Sequence, residues 1–247
     1  MNYIHVSTVP IPKHIEGESH VYLDTYAATG YLDLNVPFFN PNTDVLIKEN
    51  VHSDDFIRIY LKYFNPHKDF CSHVLYMDNG RNRFILTDAA MNIEPTLVDF
   101  TKIIENATTM WRALNPSWED DIIHINFVNY SGSFSIKNKD AITANTLREW
   151  CDVEHPGEFL FTNWQIDSCL YDESRRKKEW QSSLECPQII LVPNISVGNA
   201  IYKCLMKEYK CYGFLVGGTT TAVLNSRSDL DKNEECLKIL SNKGIME

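Results

Sequence analysis

The sequence has no excess of positive charge and no long apolar run. It contains 23 lysines and arginines against 33 aspartates and glutamates, a formal net charge of −10. Such an acidic chain is a poor default partner for nucleic acid, whose phosphates attract basic surfaces. No apolar stretch reaches the roughly 18 residues that span a bilayer, and residues 1–10 lack the basic and apolar regions of a signal peptide. We therefore expect a cytoplasmic protein that binds neither nucleic acid nor membrane.

Cysteine pairs of the CxxC type are absent as well. The chain has seven cysteines, an odd number, and their spacing fits neither a structural zinc site nor a disulfide framework. We interpret most of them as small buried apolar residues in a reducing compartment. The catalytic or nucleotide-binding motifs GxSxG, HExxH, GxxxxGK[ST] and GxGxxG are also missing, which excludes the enzyme classes that carry them.

What the chain does contain is the composition of an ordinary folded protein. It has 247 residues, 44% hydrophobic and 23% charged, enough for one large domain or two small ones. Short β-branched apolar runs alternate with amphipathic segments, which is typical of α/β proteins with a mostly parallel sheet. We predict strands at residues 45–47, 73–77, 84–86, 122–128, 189–192 and 214–216.

Helical periodicity is clearest after Pro95, where apolar residues recur every three or four positions. We expect Pro95 to be the first residue of that helix and Ser196 to cap a later one. The first 43 residues show no clear βαβ unit. Residues 129–140 indicate a loop, and the charged run within 171–187 indicates a solvated helix face.

Four polar segments follow predicted strands, the position at which open α/β sheets bind ligands. The first places Lys48 at a strand tip and Ser53 and Arg58 in the helix that follows, where Ser53 can serve as the cap. Such a helix start can receive an anion. The alternative, which the spacing alone favours, is a capped helix with a surface arginine.

The second and third segments are also rich in polar or small residues. The second carries Thr87, Asp88 and Asn92, which suit either a polar cleft floor or hydrogen bonds within the loop. The third carries Gly198 and Asn199 near a helix start, where glycine lets either a ligand or a neighbouring element come close to the backbone.

The fourth segment runs from Tyr212 to Asp229 through a predicted strand, a turn rich in glycine and threonine that includes Gly217, and a short apolar run. Ser226, Arg227 and Asp229 lie close together at the start of the last predicted helix. A hydroxyl, a guanidinium and a carboxylate in this arrangement can form a phosphate site with an acid–base partner. The alternative is that Ser228 or Asp229 only caps the helix.

Together and in this order, the segments resemble those of the phosphate acetyltransferase/phosphate butyryltransferase family, and more closely its butyryltransferase branch. The likeness extends from residue 44 to about residue 240. It is strongest at residues 72–74, 85–93, 191–203 and 216–229.

This resemblance implies two α/β/α lobes with mostly parallel sheets and an active site in the cleft between them. Residues 1–90 and 219–247 are expected to form one lobe and residues 91–218 the other. The implied reaction moves a short acyl group between coenzyme A and inorganic phosphate. It needs no metal and no tightly bound cofactor, because coenzyme A is a substrate. The family is often dimeric, which implies a homodimer.

The resemblance also assigns roles to single residues. Ser226 and Arg227 fall on the family's active-site pair, and Asp229 is a hypothetical base or base-orienting residue. Arg58 matches a position near the phosphates of coenzyme A, while Asp88 and Asn92 match the cleft floor. The remaining residues predicted to bind substrate are Lys48, Ser53, Thr87, Asp167, Gly198, Asn199 and Gly217.

Several positions depart from the family pattern. By the resemblance, the N-terminal part of the first lobe is expected to be shorter than usual, and Glu49 follows Lys48 where the family typically has glycine. Residues 162–165 replace an Asp-Gly-Pro-Leu loop, so that only Asp167 remains there, and Trp164 is bulky enough to reshape an acyl pocket. These changes leave two other functions open. One is acyl transfer to an acceptor other than phosphate, and the other is an inactive relative that binds a coenzyme A-type or phosphate ligand in a regulatory role.

Overall fold

Strands and helices alternate along the chain, as the apolar pattern predicts. The computed structural model describes residues 3–7, 20–24, 45–48, 51–63, 70–90, 94–118, 121–129, 139–177, 185–218, 220–225 and 230–242. Contacts divide the chain into two units, Met1–His73 with Tyr212–Glu247 and Val74–Cys211. The lobe limits inferred from sequence, at residues 90 and 218, lie later in the chain than these limits, and that lobe assignment stays a prediction.

The elements of the described residues follow in chain order. They are β1 (Tyr3–Ser7), β2 (His20–Asp24), β3 (Val45–Lys48), α1 (Ser53–Tyr63), β4 (Ser72–Asp78), β5 (Arg83–Ala89), α2 (Leu97–Leu114), a short 3-10 helix (Pro116–Trp118), β6 (Ile123–Phe127), α3 (Lys139–Glu154), β7 (Phe159–Thr162), α4 (Ile166–Leu170), α5 (Asp172–Lys177), β8 (Ile189–Leu191), α6 (Ile195–Leu205), β9 (Lys210–Val216), β10 (Ala222–Val223) and α7 (Leu230–Asn242). Within these ranges, no helix combines the length and the apolar character needed to cross a membrane.

In the first unit the strand order is β2-β1-β3-β10-β9. The neighbouring strands are parallel, except that β10 and β9 are antiparallel. Strands β1 and β2 lie in the N-terminal region in which the sequence showed no clear βαβ unit. The prediction missed them because each has only five residues and alternates polar with apolar positions, whereas the predicted strands are continuous apolar runs.

In the second unit the strand order is β4-β5-β8-β6-β7, and β5, β8, β6 and β7 pair in parallel. On one face Leu86 and Ile190 pack in a buried cluster with residues of α4 and α6. On the other face α2 contacts β5 and β8, and Phe100 meets Phe127 edge-on at 5.3 Å. Strands covered on both faces need apolar side chains at successive positions. The α/β class with a mostly parallel sheet is confirmed.

Helix α2 matches the predicted apolar stripe but begins later than expected. Thr96 is its cap: the Thr96 hydroxyl accepts the Asp99 N–H at 3.3 Å, and the Asp99 carboxylate accepts the Thr96 N–H at 2.8 Å. This reciprocal capping box stabilises a helix start. Pro95 therefore precedes the cap, and the prediction that it is the first helical residue was wrong.

Three other helices differ from the sequence-based expectation. Asn194, rather than Ser196, caps α6 by accepting the N–H of Val197 at 3.1 Å. Helix α3 begins at Lys139, inside the segment predicted as a loop. Arg175 of α5 is buried, although its charged run predicted a solvated face, because it donates to two carbonyls in α4 at 2.9 Å each.

The structure confirms that most of the cysteines are buried. All seven are free thiols, and five are buried. Burial raises the pKa of Cys151 and of Cys236 to about 12. These two thiols therefore stay protonated at neutral pH and act as small apolar or weakly hydrogen-bonding groups.

Candidate active site

Lys48 is the last residue of β3, and its side chain reaches Asn225, the residue before the predicted catalytic residues Ser226, Arg227 and Asp229. It is only 3% exposed, and its Nζ donates to the carbonyl oxygen of Asn225 at 2.8 Å. A buried ammonium needs such partners because losing water is costly. The residues that follow, Ser226, Arg227 and Asp229, lie outside the described residues, so the structure places their immediate neighbour and not the three themselves.

Asn225 is the centre of a buried polar network in the first unit. Its Oδ1 accepts the N–H of Gly213 at 3.0 Å, and its Nδ2 donates to Asn233 Oδ1 at 3.0 Å and to Cys236 Sγ at 3.2 Å. Asn233 Nδ2 in turn donates to the carbonyl oxygen of Lys48 at 3.3 Å. The network joins the end of β3, β9 and α7 at the point where the chain leaves β10.

Tyr60 of α1 holds the turn that follows β9. Its hydroxyl donates to the Thr220 carbonyl at 2.6 Å and accepts the Gly218 N–H at 3.0 Å. Burial raises the pKa of Tyr60 well above its ordinary value, so the hydroxyl keeps its proton. Gly217 in this turn has φ +109°, a conformation that glycine adopts without strain. In the sequence Tyr60 is one apolar position of a helical stripe, which gives no sign of this polar role.

The start of α1 differs from the prediction for Ser53. Ser53 is the first helical residue, and the N–H of Asp54 donates to His52 Nδ1 at 3.3 Å. The cap acceptor is therefore His52 rather than Ser53. Arg58 is exposed, and its Nη1 lies 3.3 Å from Asp55 Oδ1. Such exposed pairs bind weakly, so the guanidinium is available to an anion.

In the second unit the structure brings Asp88 against the start of α6. Thr87 and Asp88 lie near the end of β5 and are 1% and 3% exposed. A Cβ added at Gly198 would lie 2.5 Å from Asp88 Oδ2. The glycine therefore admits the Asp88 carboxylate close to the backbone, and a negative charge near a helix start is favourable.

The other predicted residues of the second unit are less enclosed. Asn199 follows Gly198 on α6 and is exposed, and Asp167 is exposed in the first turn of α4. Asn92 lies outside the described residues. Asp88 with Gly198 is thus the contact in this unit that joins two predicted positions from different motifs.

A polar group at the ends of β6 and β7 was missed by the sequence reasoning. Asn126 Oδ1 accepts the Thr162 hydroxyl at 2.8 Å and the Trp164 N–H at 2.6 Å. His124 Nε2 lies 2.8 Å from the same hydroxyl oxygen. Because the Thr162 proton goes to Asn126, His124 donates through Nε2. The signal in the sequence was the pair of polar residues within the apolar run of β6.

Two buried side chains complete this edge of the unit. Burial, with a smaller contribution from the Arg175 charge, lowers the pKa of His124 to about 4, so the ring is neutral. The Trp164 ring is 4.9 Å from the His124 ring, edge to face. Trp164 is 4% exposed and packs in the buried cluster of the second unit. Its bulk therefore fills the core at this position.

The two sets of polar groups differ in the charge that they can attract: the Arg58 guanidinium can attract an anion, whereas the Asp88 carboxylate accepts hydrogen bonds. The first unit offers an exposed guanidinium on α1 and an anchored chain before Ser226-Arg227. The second offers a buried carboxylate beside a helix start. Among the residues that the structure describes, no group of three or more histidine, cysteine, aspartate or glutamate side chains is arranged to hold a metal ion.

The fold is similar to that of solved phosphotransacylase structures. It is similar to the branched-chain phosphotransacylase of Enterococcus faecalis V583, with 22% identity, a TM-score of 0.72, and coverage of 100% of this chain and 90% of that one. It is also similar to a phosphotransacetylase of Streptococcus pyogenes, with 20% identity, a TM-score of 0.63, and coverage of 82% and 63%. At such identities the likeness defines the fold.

The sequence profile of the phosphate acetyl/butaryl transferase family matches residues 41–237, and the chain belongs to this family. It is 26% identical over 185 residues to a phosphate acetyltransferase of Mycoplasma capricolum, covering 73% of this chain and 55% of that protein. It is 27% identical over 197 residues to a phosphate butyryltransferase of Clostridium beijerinckii, covering 76% and 64%. The chain thus matches little more than half of the first relative's length. The family inferred from the motifs is confirmed.

Proposed function

We propose that the protein transfers a short acyl group between coenzyme A and inorganic phosphate. The observation that carries the proposal is the family match over residues 41–237, which spans every residue assigned to the site. Coenzyme A and phosphate are then substrates, and no tightly bound cofactor takes part. A cytoplasmic location, expected from the sequence, and a homodimer, which rests on the resemblance alone, are part of the same proposal.

The chemistry assigns a role to each of the three residues of the fourth motif. The thiol of coenzyme A loses a proton, for which Asp229 is the candidate base or base-orienting group. The sulfur then bonds to the acyl carbon as the bond from that carbon to the phosphate oxygen breaks. Negative charge grows on the carbonyl oxygen and on the departing phosphate, where Arg227 and the Ser226 hydroxyl stabilise it. The reverse reaction uses the same groups.

The remaining predicted residues bind and orient the two substrates. The exposed Arg58 guanidinium is assigned to the phosphates of coenzyme A. Thr87, Asp88 and Asn92 form the polar floor, and Gly198 allows Asp88 its place beside α6. Holding both substrates in line removes much of the entropic barrier to a reaction between two molecules.

A free-thiol release assay tests the proposal. Wild type, Arg227→Ala and the matched control Arg81→Ala are mixed with acetyl-, propionyl-, butyryl- and branched acyl-CoA, with and without phosphate. Arg81 is exposed in the turn between β4 and β5. We expect phosphate-dependent release by wild type and by the control. Loss of Arg227 should slow it about 10²–10³-fold, as for other groups that stabilise a developing anion.

Each contrary result points to a defined alternative. Equal release by Arg227→Ala and wild type contradicts the role given to that arginine. Release that ignores phosphate indicates another acyl acceptor. A folded wild-type protein that releases no thiol from any thioester contradicts the transferase proposal and favours a ligand-binding, regulatory role.

A further inference from the structure

Arg175 of α5 is a buried arginine to which the proposed reaction assigns no role. It is 4% exposed, its Nη1 donates to the carbonyl oxygens of Ser168 and Cys169 at 2.9 Å each, and its Nη2 pairs with Asp172. Burying a guanidinium is costly unless it is paired in this way. A positive charge at the last carbonyls of a helix is also favourable. Arg175 therefore holds the C-terminal part of α4.

Asn126 of β6 holds the chain that enters α4. Its Oδ1 accepts the N–H of Trp164 at 2.6 Å, and its Nδ2 donates to the Trp164 carbonyl at 3.3 Å. The amide side chain thus bonds both backbone groups of the residue two positions before the helix begins. Both residues are buried, so breaking either bond would leave a buried polar group without its partner.

Helix α4 depends on these two contacts because it is short. It has five residues, and isolated helices of fewer than about 12–15 residues are marginal in water. What binds its two ends therefore decides how it lies. Asp167 is in its first turn and is exposed. The helix follows β7, and the carboxyl ends of parallel strands are where open α/β sheets bind ligands.

We infer that Arg175 is a positioning residue that, with Asn126 at the opposite end, holds α4 so that Asp167 accepts a hydrogen bond from the uncharged arm of coenzyme A. This inference rests on the proposed function. Coenzyme A carries amide and hydroxyl donors between its phosphates and its thiol. A carboxylate accepts hydrogen bonds from such groups, whereas it repels phosphate. Asp167 therefore contributes to the affinity for coenzyme A and not to that for phosphate.

Steady-state kinetics of the whole protein supply the first test. The variants are Arg175→Met, Arg175→Lys and Asp167→Ala. The control is Arg176→Met, because Arg176 is exposed on the same helix and its loss changes the net charge equally. We expect the KM for acyl-CoA to rise about tenfold in Arg175→Met and in Asp167→Ala, as for the loss of one hydrogen bond to a charged group. The KM for phosphate and kcat should stay within about twofold of wild type, and Arg175→Lys should be less affected than Arg175→Met.

The double variant Asp167→Ala/Arg175→Met distinguishes positioning from stability. Its KM for acyl-CoA should equal that of Asp167→Ala, because Arg175 acts through Asp167. A role in stability alone would instead lower kcat, since fewer molecules would be folded, and would leave KM unchanged. Hydrogen exchange in peptides covering residues 165–171 should be faster in Arg175→Met than in Arg176→Met. Additive effects on KM in the double variant, or equal exchange in these two single variants, would overturn the inference.

Isothermal titration with coenzyme A separates this inference from the proposed function, because it needs no turnover. A Kd about tenfold weaker in Arg175→Met and Asp167→Ala than in Arg176→Met supports the inference. If wild type then releases no thiol, the transferase proposal is what fails.

Three results overturn the inference. They are equal Kd values in folded Arg175→Met and Arg176→Met, a wild type that does not bind coenzyme A, and a rise confined to the KM for phosphate. If Arg175→Met does not fold, Arg175→Lys and Asp167→Ala decide, and an unchanged Kd in both contradicts the role given to Arg175.

Discussion

The contact between Gly198 and Asp88 shows how one side chain limits another position. Ala in place of Gly198 would set its Cβ 2.5 Å from Asp88 Oδ2 and 3.2 Å from Val192 Cγ2. Overpacking of this kind costs about 1–3 kcal/mol, and it opposes a gain of about 1 kcal/mol from the better helix propensity of alanine. We expect Gly198→Ala to lower the free energy of unfolding by about 1 kcal/mol in urea titrations.

The same substitution should change sign when the carboxylate is removed. In the Asp88→Ala background the contact with Oδ2 is gone, so Gly198→Ala is expected to stabilise the protein by up to about 1 kcal/mol through helix propensity. Equal effects of Gly198→Ala in both backgrounds would show that Asp88 does not restrict this position.

The single residues also show what a sequence can and cannot reveal about a site. Lys48, Arg58, Asp88 and Gly198 were predicted to bind substrate because their types and their positions after apolar runs suit ligand binding, and these roles stay predictions. Their partners were not identified. The Lys48 bond to Asn225 joins residues 177 positions apart, and such pairing follows from the fold, which a local pattern does not contain.

At the scale of elements, continuous apolar runs and helical stripes were the reliable signals. They located α2 and the strands buried on both faces, since burial there requires apolar side chains at successive positions. The short alternating strands β1 and β2 were missed. The caps of α1 and α6 and the first residue of α2 were misplaced because several neighbouring residues suit a helix start, and only the backbone direction decides between them.

The buried histidine of β6, which bonds to β7, should make the free energy of unfolding depend on pH. His124 of β6 is buried, and its pKa is lowered to about 4 from an ordinary value of 6.5. Between pH 4 and pH 6.5 the histidine of the unfolded chain therefore binds a proton more readily than the buried ring does. The contribution of the neutral ring to the free energy of unfolding is fully present above pH 6.5 and is lost as the pH falls towards 4. The loss amounts to about 3 kcal/mol at most.

His124→Gln offers the matched comparison for this pH dependence. Glutamine is neutral throughout and can place an amide near the Thr162 hydroxyl. Urea unfolding at several pH values between 4 and 7.5 should give a flatter profile for the variant than for wild type. Parallel profiles would show that His124 is not the group responsible for the wild-type slope.

At the scale of the whole molecule, family membership does not determine whether the protein is an active transferase; the residues of the site do. The chain belongs to the phosphate acetyl/butaryl transferase family, and the departures inferred from the sequence at Glu49 and Trp164 stay predictions. A fold alone does not determine an activity. An active transferase and an inactive regulatory relative both require a coenzyme A-type or phosphate ligand, and only the first converts it.

Coenzyme A binding measured beside turnover distinguishes these two functions. At about 100 times its Kd, coenzyme A should raise the free energy of unfolding of wild type by about 2.7 kcal/mol. If Arg58 contacts its phosphates, Arg58→Ala should weaken binding about tenfold and remove about 1.4 kcal/mol of that gain at the same concentration, while Arg81→Ala keeps all of it.

Stabilisation with thiol release identifies an enzyme, and stabilisation without release identifies a binding protein. If coenzyme A does not stabilise the wild type, coenzyme A is neither a substrate of an enzyme nor the ligand of a binding protein here. Equal stabilisation of Arg58→Ala and Arg81→Ala would show that Arg58 does not contact coenzyme A.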